Sequence, residues 1–335
     1  MSLVLNREAE EISRILGAQP RSPLQYNHFN QSDCEILKLS SGKFLISNID
    51  SVSDEILFGL YREPYTMGWI SVMGCLSDFA ASGVRPEGIL ISTLWGVAET
   101  EKYKMEVNRG IADALASCRV SLLGGDSGLS KSTSIIVSAA TVTDYPPIMR
   151  SGACNGDWVC LVGKTGVAAA MALDFLQGGN WFIESNFRPV AQLDQGIALN
   201  ALATSIIDTS DGILQSLNIL GGLSKLNFAL EWKDNLVDPL ALEFCRKRDI
   251  PKLLLWIAEH GDYQLLLTIS PEKLSLAKKL VPTLYTLGRV TTNPSSVMID
   301  GKSFEFNISE ISDRLFVNRH NRPALLAEFI YELKR

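Results

Sequence analysis

The sequence predicts an α/β (α+β) chain of two domains, on three observations. Its 335 residues, 46% hydrophobic and 20% charged, are enough to bury two cores. Apolar runs of strand length alternate with stretches of helical spacing in both halves. Asp144-Tyr145-Pro146-Pro147 interrupts this pattern near the middle, and consecutive prolines impose extended backbone. The boundary is therefore expected there, giving domains 1–147 and 148–335.

In the first half, Ile12, Ile15 and Leu16 predict a short helix over 6–17. Strands follow at 34–39 and 43–50, joined by Ser41-Gly42. Met67, Ile70, Met73, Leu76 and Ala80 recur at three or four and predict a helix over 66–82, with Gly83 able to cap it and Pro86 preventing its return. A strand at 88–95, a helix at 101–117, and strands at 120–123 and 133–143 complete this half. The second half reads as a strand at 157–162, helices at 166–177 and 191–203, a strand into Asp208, and a helix to about 220. A helix at 251–259, a strand at 262–268 and a helix at 323–334 close the chain. That last helix opens with Pro323 and carries Leu325, Leu326, Phe329, Ile330 and Leu333 on one face.

Composition excludes several classes. A net charge of −6 argues against a nucleic-acid surface, which carries a basic excess. No apolar run is long enough to span a bilayer, and the acidic start Asn6-Arg7-Glu8-Ala9-Glu10-Glu11 is not a signal peptide. The six scattered cysteines form no Cys-x-x-Cys pair and the three histidines are far apart, so neither a zinc site nor a disulfide framework is expected. A cytoplasmic protein with reduced thiols follows.

Five acidic turns carry the chemistry: Ile49-Asp50-Ser51, Leu76-Ser77-Asp78, Gly124-Gly125-Asp126-Ser127, Asp208-Thr209-Ser210-Asp211-Gly212 and Gly261-Asp262-Tyr263. Hard cations want oxygen ligands, and carboxylates from several loop ends commonly hold Mg²⁺ against nucleotide phosphates. Any single Asp in such a turn is more often a cap, its side chain accepting from nearby backbone N–H groups. Asp126 rises above that reading because Gly124 and Gly125 let backbone approach a ligand. Asp208 and Asp211 do so because they flank Ser210 at a strand-to-helix transition. Gly163-Lys164-Thr165 is not a P-loop, since Trp158 stands where that pattern needs Gly. Arg150, just after the proline connector, suits a phosphate clamp or a surface salt bridge. Cys34 has no cation beside it in sequence and reads as core. His28, His260 and His320 read as structural.

Taken in order, these segments resemble the ATP-binding superfamily of aminoimidazole ribonucleotide synthetase, selenophosphate synthetase, the hydrogenase-maturation carbamoyl dehydratase and thiamine-monophosphate kinase, and most of all the last. The resemblance runs over about residues 30–268. It rests on Gln31-Ser32-Asp33, Asp50, Leu76-Ser77-Asp78-Phe79-Ala80-Ala81, Gly124-Gly125-Asp126-Ser127, Arg150-Ser151-Gly152-Ala153-Cys154-Asn155-Gly156-Asp157, Asp208-Thr209-Ser210-Asp211-Gly212-Ile213 and Gly261-Asp262-Tyr263-Gln264-Leu265-Leu266. It implies a homodimer whose N-terminal domains pair into a shared β-barrel, with an α+β C-terminal domain. It implies Mg²⁺ and ATP as cofactors, and a small-molecule acceptor as the other partner. Asp33, Asp50, Asp78, Asp126 and Asp211 would be metal ligands. Asp50, Gly124, Gly125, Asp126, Arg150 and Ser210 would bind the nucleotide, and Asp126, Asp211 and Arg150 would act in phosphoryl transfer, where positioning and charge neutralisation do most of the work.

The chain departs from the family pattern at three places. Gln31-Ser32 stands for Gly-Asp, Ser53-Asp54-Glu55-Ile56-Leu57-Phe58 for a Val-Glu-Gly-Val-His-Phe-like run, and Gly261 for a Glu, with Glu259 two residues upstream. Two other readings stay open at this point: an ATP-dependent dehydratase or cyclo-ligase that activates a carbonyl oxygen, and a non-catalytic nucleotide-binding dimer.

Overall fold

A computed structural model describes residues 12, 14–57, 59–258, 260–305, 330 and 331. Most of the expected C-terminal helix and most of the N-terminal one lie outside these residues, as does Glu259.

The first sheet has five strands. β1 (Glu35–Lys38) and β2 (Phe44–Ser51) form a hairpin through Gly42, whose φ of +86° suits glycine. β2 pairs antiparallel with β5 (Ser134–Thr143), β5 antiparallel with β3 (Gly88–Gly96), and β3 parallel with β4 (Leu122–Ser130) at the edge. Between them the chain forms α1 (Ser53–Leu57), α2 (Pro64–Ala81) and α3 (Glu101–Cys118). Pro64 begins α2 where a missing N–H costs nothing, and the Thr100 hydroxyl caps α3 by accepting from Tyr103 N–H at 3.2 Å. The two long helices cross in close contact. A Cβ at Gly68 would lie 2.1 Å from the Val107 carbonyl oxygen, and one at Gly110 would lie 2.0 Å from that of Tyr65.

The second sheet has the order β12 (Lys302–Glu305), β11 (Ser296–Ile299), β8 (Asn227–Glu231), β10 (Leu284–Thr291), β6 (Trp158–Val162), β9 (Leu265–Ile269), β7 (Ala203–Asp208). Its pairs are antiparallel except β11 with β8. The helices α4 (Val167–Leu176), α5 (Leu193–Leu199), α6 (Ile213–Ser224), α7 (Pro239–Arg248), α8 (Leu254–Ile257) and α9 (Pro271–Leu280) accompany it. β6 and β9 are apolar nearly throughout because both faces are covered.

α2 explains how the two sheets meet. It is buried almost all round, since one side covers the first sheet and the other packs on β7, β9 and α5. Glu184 fixes its start from the second half, its carboxylate accepting from Arg62 N–H and Glu63 N–H at 2.9 Å each. Trp69 Nε1–H donates to the Pro189 carbonyl at 2.8 Å. No helix among the described residues is long and apolar enough to cross a membrane.

Several expected boundaries are corrected. The strand expected at 120–123 runs to Ser130, so Gly124, Gly125 and Asp126 lie within β4 and not in a turn after it. The helix expected at 191–203 stops at Leu199, and the one at 251–259 spans only Leu254–Ile257. The strand expected from residue 262 begins at Leu265, because Tyr263 takes a left-handed φ of +55° that no strand accepts. The structure also forms α1, α7, α9, β8, β10, β11 and β12, which lie outside the expected elements.

Candidate active site

Three carboxylates converge from distant segments. Asp33 precedes β1, Asp78 sits in the last turn of α2, and Asp208 ends β7; one oxygen from each lies within 4.8 Å of the others. Arg150, on the connector between the sheets, donates from Nη2 to Asp33 Oδ1 at 2.8 Å, and its backbone N–H donates to the Gln31 carbonyl at 2.9 Å. Neutral donors hold three more of the six oxygens. Asn48 of β2 donates to Asp78, Ser77 Oγ to Asp208 Oδ2, and Ser210 Oγ to Asp208 Oδ1 at 2.9 Å.

Asp50 and Asp211 flank this cluster, close enough for their charges to be felt. Burial raises the Asp50 carboxyl, the Ser51 N–H partly offsets that, and the Asp211 charge adds to the rise. A Cβ on Gly74 of α2 would stand 2.3 Å from Asp50 Oδ2, so this helical glycine makes room for the carboxylate.

The electrostatics are those of a site short of positive charge. Burial pushes Asp78 well above the carboxylate range, and Asp208, Asp33 and Asp50 push it further while Arg150 opposes. Asp208 is raised to about 7, first by burial and then by Asp33. Burial alone would depress the Arg150 guanidinium, but Asp33, Asp78 and Asp208 outweigh it and the net direction is upward. Among the described residues, one arginine thus faces three close carboxylates. A divalent cation would supply the missing charge, and an all-oxygen donor set is the kind Mg²⁺ accepts.

The other acidic turns divide cleanly. Asp262 caps α4, accepting from Ala168 N–H at 2.9 Å, from Gly166 N–H and from Thr165 Oγ1–H at 3.0 Å, so its carboxylate is spent on structure. Asp157 accepts from Cys154 N–H at 2.9 Å and Thr204 Oγ1–H at 2.7 Å, which closes the turn after Arg150. Asp126 lies on the far side of the first sheet. It pairs with Ser92, and Ser92 pairs with Ile136, whereas Asp50 pairs with Val137, the next residue of β5. Lateral partners share a face and successive residues alternate, so Asp126 and Asp50 point to opposite faces. Gly124 and Gly125 share that edge strand.

Sequence reasoning placed Asp208 in a promising turn but gave the ligand role to Asp211; the structure puts Asp208 in the cluster itself. Asn48 and Ser77 were missed, although both adjoin acidic turns. Cys34 is buried and its thiol is pushed up by that burial, as a core residue. His260 is also buried and is held down at about 4, hence neutral.

Comparisons with known proteins fit this geometry. Residues 31–143 match the family model described as AIR synthase related protein, N-terminal domain. The thiamine-monophosphate kinase of Halobacterium salinarum is 30% identical over 256 residues, covering 76% of this chain and 86% of the relative. The chain belongs to the thiamine-monophosphate kinase family. The solved complex of AaThiL with AMPPCP and TMP superimposes with a TM-score of 0.71 at 22% identity, over 89% of this chain and 94% of that one. The HypE–HypF complex gives a TM-score of 0.73 at 14% identity, over 88% and 98%, a likeness of fold alone. Within the family, the three departures noted above sit in two places. Gln31 and Ser32 adjoin the carboxylate cluster, while Ser53–Leu57 follow Asp50 in the chain and Gly261 hydrogen-bonds to Ser210, next to Asp211. At Gly261 a Cβ would stand only 1.4 Å from the Thr209 carbonyl oxygen, so the backbone here has closed over the space a side chain would need.

Proposed function

We propose that this chain transfers the γ-phosphoryl group of ATP to the phosphate of thiamine monophosphate, giving ADP and thiamine diphosphate. The observation that carries the reading is the convergence of Asp33, Asp78 and Asp208 with Arg150, in a chain that matches a thiamine-monophosphate kinase over most of its length.

Asp33, Asp78 and Asp208 would hold Mg²⁺, with Asp50 and Asp211 at the cluster's flank. When bound, Mg²⁺ would neutralise phosphate charge at this site. Arg150 supports a phosphate position. Its Nε–H is buried without a hydrogen-bond partner among the described residues, and its Nη2 is already oriented by Asp33. Ser210 begins the turn into α6, whose first N–H groups suit an anion. In the transfer, an oxygen of the acceptor phosphate forms the new bond to Pγ as the bond to the bridging oxygen of ADP breaks. That oxygen carries no proton to remove at neutral pH, so no dedicated base is required. The residues orient and neutralise. Product formation should require both Mg²⁺ and thiamine monophosphate; steady thiamine diphosphate formation in excess EDTA would contradict the metal role.

The chain divides, on this reading, into domains 1–147 and 148–335 that share the site, the first also serving dimerisation. The uncovered face of the first sheet supports a homodimer. Ile49, Leu90 and Val142 lie on it and are respectively 70%, 50% and 47% exposed. Asp126 is on that same face, so a metal or nucleotide role for Asp126, Gly124 and Gly125 would run through a second copy. The expected β-barrel would likewise close only between copies, since the five strands here form an open sheet. Sedimentation equilibrium should return twice the 36.8 kDa chain mass; a monomer at micromolar concentration would remove the dimer and the barrel together.

A further inference from the structure

One short segment ties together the two flanking carboxylates, which come from opposite halves of the chain. Ala258 and residues 260–263 are laced to the 208–212 turn: Gly261 N–H donates to the Ser210 carbonyl at 2.8 Å, and a Cβ on Gly212 would meet the Ala258 carbonyl oxygen at 2.1 Å. The same segment reaches into the first half. His260 Nε2 and the Tyr61 hydroxyl share a hydrogen bond of 3.0 Å, and the Tyr61 and Tyr263 phenols are close enough to act on one another electrostatically. Tyr263 and Asp50 both approach Gly74. The position a Cβ on Gly74 would take is 2.3 Å from Asp50 Oδ2 and 3.9 Å from Tyr263 Cε1. Tyr61, His260 and Tyr263 are all buried, and Phe187 stacks on Tyr61 with ring centroids 6.5 Å apart. Tyr263 holds a left-handed φ of +55°, unfavourable for an aromatic residue and maintained only because its surroundings fix it.

We infer that the Tyr61–His260 hydrogen bond is a positioning device that sets the spacing between Asp50 and Asp211, and so the geometry in which the two halves hold a metal–nucleotide complex. The inference rests on the assignment of Asp50 and Asp211 to that complex. Tyr61 and His260 are positioning residues here: neither needs to touch the phosphates. The physical basis is the low tolerance of hard cations for misplaced oxygens, which turns a small shift of one carboxylate into lost affinity. A neutral, buried hydrogen bond between aromatic rings is a stiff spacer, because neither ring can rotate away without burying an unpaired polar atom.

The test is calorimetric binding of the non-hydrolysable analogue AMPPCP to the full chain, in Mg²⁺ and in EDTA, for wild type, Tyr61→Phe, His260→Phe and the double variant. Tyr61→Phe removes one oxygen and keeps the ring. Each single variant should bind about tenfold more weakly in Mg²⁺, the scale of one buried hydrogen bond. The double variant should be no worse than either single one, and the difference from wild type should vanish in EDTA. Phe187→Leu serves as the structural control: it should lower the melting temperature and leave Mg²⁺-dependent binding unchanged. Wild-type affinity in both single variants overturns the inference, as do losses that simply add or that persist in EDTA. If the wild type itself shows no Mg²⁺-dependent binding, the assignment of the site falls first and this inference falls with it.

Discussion

Asp78→Asn is expected to lower turnover about a thousandfold and, at the same time, to raise the melting temperature of the metal-free protein. The first effect follows from losing a ligand to the cation that neutralises the phosphates, a contribution of several kcal/mol at about 1.4 kcal/mol per tenfold. The second follows from the cluster's imbalance. Asp78 is buried beside Asp208, Asp33 and Asp50 and is the residue their charges burden most clearly. An isosteric amide removes that repulsion while its neighbours remain in place. Initial rates of thiamine diphosphate formation and thermal unfolding in EDTA measure the two effects. A variant that keeps full activity would exclude the cluster as the metal site. One that is inactive because it has unfolded would show a melting temperature moving the other way.

Arg150→Met should destabilise the protein, in contrast to Asp78→Asn. Among the described residues the guanidinium is the one cation paired directly with the cluster, with an 18% exposed side chain against 2% for Asp33. Removing one member of such a buried pair costs about 3–5 kcal/mol, because the remaining carboxylates are left with no cation among them. In a chain of this size that corresponds to a fall of roughly 10 °C in melting temperature. Mg²⁺ should recover part of this loss by supplying charge to the same carboxylates, while activity should stay low because the phosphate contact is gone. Arg150→Lys should restore stability better than activity, since an ammonium cannot present the same planar fork. An unchanged melting temperature for Arg150→Met in EDTA would mean that the cluster is not short of positive charge.

The two variants together show why the site was only partly legible in the sequence. Spacing announced the acidic turns and their order, and most strands and helices of the first half fall within a residue or two of their expected positions. What spacing could not reveal is where each carboxylate points. Asp262 and Asp157 look much like Asp208 in sequence, yet both are consumed by backbone N–H groups. Asp126 looked like a ligand in a glycine turn. Because β4 continues through it, strand alternation sends its side chain to the face opposite Asp50. The Tyr61–His260 contact joins residues 199 apart and has no local signature. The second sheet was harder to read than the first because β8, β10, β11 and β12 are short or mixed in polarity, so tertiary pairing and not periodicity decides them.

The departures from the family pattern now have a physical form. Gly261 has no room for a side chain against Thr209, and its neighbour His260 turns inward to Tyr61. Asp33, Asp78, Asp208 and Arg150, which form the cluster, all come from one chain.

The most direct measurement follows the label from γ-³²P-ATP, with Mg²⁺ and thiamine monophosphate, in a single turnover. Phosphoryl transfer predicts that the label appears in thiamine diphosphate, matched by ADP, and that none appears as inorganic phosphate ahead of it. Label released only as inorganic phosphate, with thiamine monophosphate unchanged, would contradict the account and point to activation of a different oxygen.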